Sequence, residues 1–115
     1  MSKRIAIPTQ GTTGLADQIE ERFGRARHYA LVDLGEQGIE GTQVVDVPYG
    51  RQGPEGLPDW LRQLGVDAIL SQRMGPRASE SFSEIGIEPV ADTEVEGRVV
   101  TAVERYLSGN LSKET

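Results

Sequence analysis

The sequence predicts an α/β domain with a mixed five-stranded sheet, and two patterns carry that prediction. Between residues 28 and 47, two β-prone segments flank Gly35-Glu36-Gln37-Gly38, which indicates an antiparallel hairpin. After residue 57, helical apolar stripes alternate with short apolar segments, an order typical of parallel strands joined by helices. A hairpin followed by such units favours a sheet that contains both kinds of pairing.

The N-terminal quarter predicts a strand over residues 4–8 that ends at Pro8, followed by a polar loop over residues 9–14. Residues 15–26 are ambiguous. A spacing of four between Leu15, Ile19 and Phe23 indicates a helix, although Gly24 interrupts it. The hairpin follows, with strands over residues 28–34 and 39–47.

The C-terminal half predicts three helices. The first begins near Leu57, keeps Leu57, Trp60, Leu61 and Leu64 on one face, and is closed by Gly65. A strand over 66–71 follows, then a helix from Pro76 to Gly86 and a strand over 87–90. For the last helix, Thr93 and Glu96 predict a capping box at its start, and Gly109 predicts its end. Gly97 would then lie inside the helix and weaken it by about 1 kcal/mol.

Composition limits the classes of function. A chain of 115 residues fits one domain, predicted here over residues 1–110, with a short disordered tail over 111–115. The chain has 12 Lys and Arg residues and 18 Asp and Glu residues, so its net charge is negative. A negative protein repels phosphate, which disfavours broad binding to nucleic acid. The chain has no cysteine, which excludes thiolate ligation of a metal by this chain alone. With no apolar run of membrane-spanning length, we expect a cytoplasmic protein without a membrane partner.

Two short segments bring glycine and arginine together in this acidic chain, at residues 22–26 (Arg-Phe-Gly-Arg-Ala) and 74–78 (Met-Gly-Pro-Arg-Ala). Right-handed crossovers would place the loops after the first and fourth strands at the same carboxyl edge of the sheet. There, the helix that opens at Gly75-Pro76 offers free backbone N–H groups, and Arg73 and Arg77 add charge-assisted hydrogen bonds. An anion matches such a site. The alternative is an ordinary helix start whose arginines are solvated or pair with Glu20, Glu21, Glu80 and Glu84.

Other chemistries have weaker support. His28 is the only histidine, and a partly buried structural role outweighs that of a metal ligand or general base. Asp33, Asp46 and Asp67 stand at strand ends, but the first strand carries no carboxylate for a two-metal hydrolase. The serines lack a nucleophile elbow, so we assign no acyl-transfer site and no catalytic residue.

Five segments in this order resemble a known family: residues 5–9 (Ile-Ala-Ile-Pro-Thr), 22–26, 64–67 (Leu-Gly-Val-Asp), 74–78 and 102–109 (Ala-Val-Glu-Arg-Tyr-Leu-Ser-Gly). The chain is similar to the dinitrogenase iron-molybdenum cofactor biosynthesis family, which includes NifX, NafY, the C-terminal part of NifB and the orange protein. The resemblance covers nearly the whole chain. It implies a ribonuclease H-like three-layer α/β/α fold and a non-catalytic protein that binds or carries an anionic metal-sulfur cluster or its precursor.

The resemblance also implies a site and a cargo. The cargo would be an iron-molybdenum or other molybdenum-sulfur cluster, and the partner a cofactor-assembly or cluster-accepting protein. The residues implied are Thr9, Gln10, Gly11, Arg22, Phe23, Gly24, Arg25, Arg73, Met74, Gly75, Pro76 and Arg77. Two positions depart from the family pattern, where Arg22 replaces a frequent histidine and Gln72-Arg73 replace paired glycines. Both departures favour an anion held electrostatically rather than through protein-metal bonds.

Two other classes of function stay open at this point. One is a protein-interaction or regulatory module that kept the fold and lost the cargo, which a conspicuous exposed apolar patch would favour. The other is an enzyme acting on a phosphate-bearing ligand, which turnover of phosphate esters would favour.

Overall fold

A computed structural model describes residues 3–48 and 56–109 of the chain. The sheet contains five strands, which are β1 (Lys3–Thr9), β2 (His28–Gly35), β3 (Gly38–Asp46), β4 (Ala68–Ser71) and β5 (Glu88–Ala91). The α-helices in these ranges are α1 (Leu57–Gln63), α2 (Pro76–Glu84) and α3 (Val99–Leu107). The predicted tail over 111–115 lies outside the described residues. None of the helices described is long and apolar enough to cross a membrane.

The sheet is mixed, as the sequence predicts. Its strand order is β3-β2-β1-β4-β5. β1 pairs antiparallel with β2, and β2 pairs antiparallel with β3. β4 lies parallel to β1 on one side and to β5 on the other. Because β1 and β4 are parallel neighbours, the segments that follow Thr9 and Ser71 leave the sheet at the same edge, its carboxyl edge.

Helices cover both faces of the sheet. On one face, the apolar side of α3 buries Val99 and Val103 against residues of β1 and β2 such as Ile5 and Val32. On the other face, α1 and α2 pack on Ala6, Leu31 and Ile69, contributing Trp60, Leu61 and Phe82. Side chains alternate between the two faces along each strand, so a strand such as β1 supplies both cores. The α/β class and the mixed five-stranded sheet are therefore confirmed.

The predicted helix over residues 15–26 is wrong. Two single turns of 3-10 helix occupy Gly14–Ala16 and Phe23–Arg25, and the segment between them is extended. Ile19 instead forms an isolated antiparallel bridge with Thr9, and its amide donates a hydrogen bond to the carbonyl oxygen of Gly97. The spacing of four reflected three separate contacts with the core rather than one helical face.

The start of the last helix also differs from the prediction. α3 begins at Val99, with the backbone of Arg98 still extended, so Thr93 and Glu96 do not form its capping box. Gly97 precedes the helix and has a φ of 77°, a conformation that glycine adopts readily and that an α-helix excludes. Residues 93–98 are thus a loop between β5 and α3. This correction matters because the loop reaches the candidate site.

Candidate functional site

The two glycine-arginine segments meet at one cavity, although about fifty positions of sequence separate them. A hollow of about 730 Å³ lies at the carboxyl edge of the sheet, and six of the predicted residues line it. They are Arg22, Phe23, Gly24, Arg73, Met74 and Gly75. The other lining residues are Glu21, Gln72, Thr93 and Glu96. We call this hollow the arginine cavity.

The turn that carries Arg22 is held from beneath by aromatic side chains. The hydroxyl of Tyr29, which is fully buried, donates a 2.8 Å hydrogen bond to the carbonyl oxygen of Phe23. Burial raises the pKa of Tyr29, so this hydroxyl stays protonated and acts as a donor. The ring of Phe23 meets that of Phe82 edge to face, with centroids 6.1 Å apart. Phe82 belongs to α2, so this contact ties the first segment to the helix that follows the second.

The loop after β4 is ordered by its own backbone and by Ser71. The hydroxyl of this buried serine donates a 2.7 Å hydrogen bond to the carbonyl oxygen of Arg73. Gly75 then precedes α2 with an extended backbone, and the helix begins at Pro76. The positive end of the α2 dipole therefore lies at the rim of the cavity.

Gly24 and Gly75 leave open space at the cavity wall. A Cβ atom added at either position would meet no heavy atom within 4 Å. Neither glycine has a positive φ, so neither is required by its backbone conformation. Their lack of a side chain instead widens the hollow and lets a ligand approach the backbone closely.

The charges in the cavity have both signs. Arg22 and Arg73 are exposed, and neither forms an ion pair with any residue in the described part of the chain. Glu21 and Glu96 also line the hollow and are exposed. Pairing of the arginines with Glu20, Glu21, Glu80 or Glu84, which was one form of the alternative to an anion site, is not seen among the residues described. The guanidinium groups are therefore available to a ligand, but two carboxylates face the same space.

Six of the predicted site residues do not line the arginine cavity. Thr9 is buried at the end of β1, where its hydroxyl donates to the carbonyl oxygen of Gly11. A Cβ on Gly11 would lie 3.0 Å from a carboxylate oxygen of Asp17, so this glycine has a local packing role. Gln10 and Arg25 line a separate, smaller pocket. Pro76 and Arg77 are exposed in the first turn of α2.

Asp17 organises the loop between β1 and the arginine turn. Its two carboxylate oxygens accept hydrogen bonds from the amides of Thr13 (2.9 Å) and Gln18 (2.8 Å). Burial acts to raise the pKa of Asp17, but these amide donors outweigh it, and the net effect is a lowered pKa. The carboxylate thus stays ionised and serves the fold rather than the cavity.

Four residues of the cavity are not predicted as site residues by the sequence. Local pattern offers Glu21 as an ion-pair partner of the arginines and marks Gln72 as a departure from the family pattern. It predicts a capping box for Thr93 and Glu96, whereas both lie in the loop that completes the cavity. The helix does not begin at Thr93 because Gly97 has a positive φ, which an α-helix excludes. The sequence signal for this was the glycine directly after Glu96, inside the predicted first turns of the helix.

A second groove of about 430 Å³ adjoins the arginine cavity and shares Glu21, Gln72 and Glu96 with it. Its other lining residues are of both kinds, the polar Gln10, Gln18, Thr101 and Arg105 together with Ile19, Val95 and Gly97. Arg105 is held there by an ion pair with Glu94 at 2.7 Å. The two spaces together form a trough of mixed polarity along the carboxyl edge.

The other candidate residues serve the fold at the positions described. Asp33 accepts a 2.7 Å hydrogen bond from Nε of Arg4 at the amino edge of the sheet, and Asp67 accepts the amide of Arg4. Within residues 3–48 and 56–109, no three His, Cys, Asp or Glu side chains are grouped so as to hold a metal ion. The side chains of the arginine cavity offer a ligand guanidinium, carboxylate, amide, hydroxyl and thioether groups, from Arg22, Arg73, Glu21, Glu96, Gln72, Thr93 and Met74.

Comparison with known proteins adds a family. The model of the dinitrogenase iron-molybdenum cofactor family matches residues 1–109. The crystal structure of PH0822 is similar, with a TM-score of 0.82 and 31% identity over 96% of each chain. The apo form of the orange protein from Desulfovibrio gigas has a TM-score of 0.79 and 28% identity, over 98% of this chain and 93% of that one.

A relative from an archaeon matches by sequence. The uncharacterized protein MJ0580 of Methanocaldococcus jannaschii is 23% identical over 114 residues, which cover 96% of this chain and 90% of the relative. All three similarities extend over nearly the full length of both proteins. They therefore concern the whole domain rather than one motif.

Proposed function

Because this chain belongs to the dinitrogenase iron-molybdenum cofactor family, we propose that it is a non-catalytic protein that binds or carries an anionic metal-sulfur cluster or molybdenum-containing cofactor precursor. The cargo occupies the arginine cavity. A cofactor-assembly or cluster-accepting protein is the partner that such a carrier requires. We also propose that the helix-covered sheet is of the ribonuclease H-like type.

The observation that carries this proposal is the convergence of Arg22 and Arg73 on one hollow of about 730 Å³. The two arginines come from separate elements, and neither is neutralised by an ion pair within the described residues. Guanidinium groups donate several hydrogen bonds in a fixed plane and suit the terminal sulfur or oxygen atoms of an anionic cluster.

The carboxylates of the cavity oppose an anionic cargo. Glu21 and Glu96 line the same hollow as Arg22 and Arg73, and their charge repels an anion there. The arginines supply the attraction, and the glutamates limit its strength.

Reversible binding follows from the donor set. Thiolates, which hold iron-sulfur clusters most firmly, are absent because the chain has no cysteine. Charge-assisted hydrogen bonds instead weaken with added salt and release the cargo without breaking a protein-metal bond. This property favours a carrier over a storage site or an enzyme with a resident cluster.

Titration of the purified protein with tetrathiomolybdate, followed by absorbance, tests the proposal. We expect saturable binding that weakens as salt is raised from about 50 to 500 mM. Arg22→Gln and Arg73→Gln should each weaken binding about tenfold or more, as expected for loss of a charge-assisted hydrogen bond.

Arg62→Gln is the matched control. Arg62 is exposed in the last turn of α1. This end of α1 lies at the edge of the sheet opposite the cavity, because the carbonyl oxygen of the neighbouring Leu64 accepts a hydrogen bond from Arg4 at the start of β1. This variant loses the same charge and should bind normally. Equal binding by all four proteins, or no saturable binding by the parent chain, would contradict the proposal.

A further inference from the structure

A second, smaller cavity lies beside the end of β1 and shares no lining residue with the arginine cavity. Its volume is about 220 Å³. Three nitrogen-rich side chains, those of Arg25, Arg27 and His28, line it together with Gln10 and Glu20. We call it the basic pocket. It collects predicted residues that the larger cavity leaves out.

The frame of the basic pocket is set by backbone pairing on three sides. His28 stands opposite Thr9 in the pairing of β1 with β2. The carbonyl oxygen of Arg27 accepts the amide of Val47 at 2.8 Å, which closes the end of the hairpin. The amide of Glu20 donates to the carbonyl oxygen of Pro8 at 2.9 Å. The side chains therefore project from a framework that the sheet holds in place.

The two guanidinium groups of the basic pocket are not used elsewhere in the described residues, whereas the Gln10 side-chain amide also donates to the carbonyl oxygen of Ile19 at 3.5 Å. Arg25 and Arg27 are exposed, and neither forms an ion pair there. Glu20 is the single acidic residue in the lining. Two guanidinium groups facing one carboxylate leave a net positive charge in a chain whose formal charge is −6.

His28 is oriented by a contact outside the pocket. Its Nδ1 lies 2.7 Å from Oδ1 of Asp46, which is an acceptor when ionised, so Nδ1 carries a proton. Asp46 is not among the residues that line the pocket. Its carboxylate fixes the orientation of the imidazole ring from outside the pocket. With Nδ1 protonated, Nε2 of the neutral ring accepts rather than donates, so the hydrogen bonds to an anion come from the two arginines and Gln10.

We propose that the basic pocket is a binding site for a small tetrahedral oxyanion of the phosphate, sulfate or molybdate class, distinct from the site of the cluster cargo. The volume fits one such ion with part of its hydration shell but excludes a large cofactor. The two arginines donate to the oxygen atoms, and the amide of the Gln10 side chain supplies a further donor. This inference does not depend on whether the larger cavity carries a cluster.

Amide chemical shifts of the ¹⁵N-labelled protein provide the test, because they separate the two sites residue by residue. Sodium phosphate, sodium sulfate and sodium molybdate are each titrated against sodium chloride at equal ionic strength. We expect saturable shifts at residues 9–10 and 25–28 for at least one oxyanion, and none of comparable size for chloride. The oxyanion that saturates at the lowest concentration identifies the ligand within the class.

Arg27→Gln and Arg25→Gln should each weaken this binding about tenfold, with the remaining amide signals unchanged as a check of folding. Arg62→Gln and Arg73→Gln are controls that remove a charge elsewhere and should bind the oxyanion normally. Shifts that do not exceed those from chloride would overturn the inference. So would shifts centred on residues 22–24 and 73–75. Either of these two outcomes would leave the proposed cluster site untouched, because tetrathiomolybdate binding to the arginine cavity is measured in a separate titration.

Discussion

The hydroxyl of Tyr29 reaches the carbonyl oxygen of Phe23 at 2.8 Å and so joins the interior of the sheet to the turn that presents Arg22. Tyr29 also packs edge to face against Trp60 of α1, with ring centroids 6.2 Å apart. One core residue therefore connects α1, β2 and the rim of the arginine cavity. The position of Arg22 depends on packing that begins in the centre of the protein.

Tyr29→Phe removes this hydrogen bond while keeping the ring. We expect the free energy of unfolding to fall by about 1 to 2 kcal/mol, because the Phe23 carbonyl loses its donor. Tetrathiomolybdate binding should also weaken severalfold, since the turn at Phe23–Arg25 is less firmly held. Urea denaturation and the absorbance titration measure the two effects.

Tyr106→Phe is the control for Tyr29→Phe. The hydroxyl of Tyr106 donates to Glu88 at 3.0 Å, and Glu88 begins β5 at the amino edge of the sheet. This variant should change stability without changing binding. A Tyr29→Phe protein that binds as tightly as the parent would show that the turn keeps its position without the tether.

Gly24→Ala and Gly75→Ala test the shape of the cavity. Because the added methyl group meets no atom within 4 Å, and neither backbone has a positive φ, both variants should fold with parental stability. The methyl group nevertheless stands in the space proposed for the cargo. We expect tetrathiomolybdate affinity to fall roughly threefold to tenfold in the absorbance titration, from loss of close approach.

Gly41→Ala offers a matched comparison for these glycine variants. Gly41 lies in β3, also has open space around an added Cβ and also lacks a positive φ, but does not line the cavity. Its binding should equal that of the parent chain. If all three variants bound alike, the glycines would have no role in admitting the cargo.

Glu96→Gln distinguishes two roles for the carboxylates of the cavity. If the glutamate acts only through its charge, neutralising it should tighten binding of an anion by roughly threefold to tenfold. If the carboxylate contacts a metal of the cargo, the same change should weaken binding of a metal-sulfur cluster. We expect tighter binding of tetrathiomolybdate, measured by absorbance at low salt.

Glu104→Gln serves as the charge control, since Glu104 is exposed on α3 and does not line the arginine cavity. Removing its charge should change affinity little, because distant surface charges are screened by salt. A Glu96→Gln protein with weaker binding would indicate direct carboxylate contact with the metal.

Asp17 makes stability depend on pH in the acid range. Its pKa is lowered in the folded protein by backbone donors that outweigh burial, so the unfolded state binds a proton more readily. The stability from this carboxylate is therefore fully present above the ordinary Asp pKa near 3.8 and is lost as the pH falls through the lower folded value. Asp17→Asn should lower the free energy of unfolding at pH 7 and flatten its dependence on pH below the ordinary Asp pKa near 3.8.

Urea denaturation at a series of pH values measures this effect. Asp59→Asn is a suitable control because Asp59 is exposed in the first turn of α1. This variant should show nearly the same dependence of the free energy of unfolding on pH, in the acid range, as the parent protein. An Asp17→Asn protein with the parental slope would assign the acid sensitivity to other carboxylates.

Local pattern predicted the regular elements well where a hydrophobic period ran unbroken. Leu57, Trp60 and Leu61 mark α1, and the glycines at positions 35 and 38 mark the hairpin, because periodicity and turn chemistry act between near neighbours in the chain. The same reasoning failed for residues 15–26. Ile19 is buried through a bridge to Thr9 and a bond to Gly97, and no local pattern reports such distant partners.

The sequence by itself determined the class of fold, the family and the two segments that carry glycine and arginine. Each of these depends on short local patterns, such as hydrophobic periods, turn residues and motifs of four to eight residues. Only the tertiary structure decided which arginines share a space. Arg22 and Arg73 line one cavity, while Arg25 lines another and Arg77 lines neither. Within a single tight turn, side chains a few residues apart point in different directions, so proximity in sequence does not give proximity at a site.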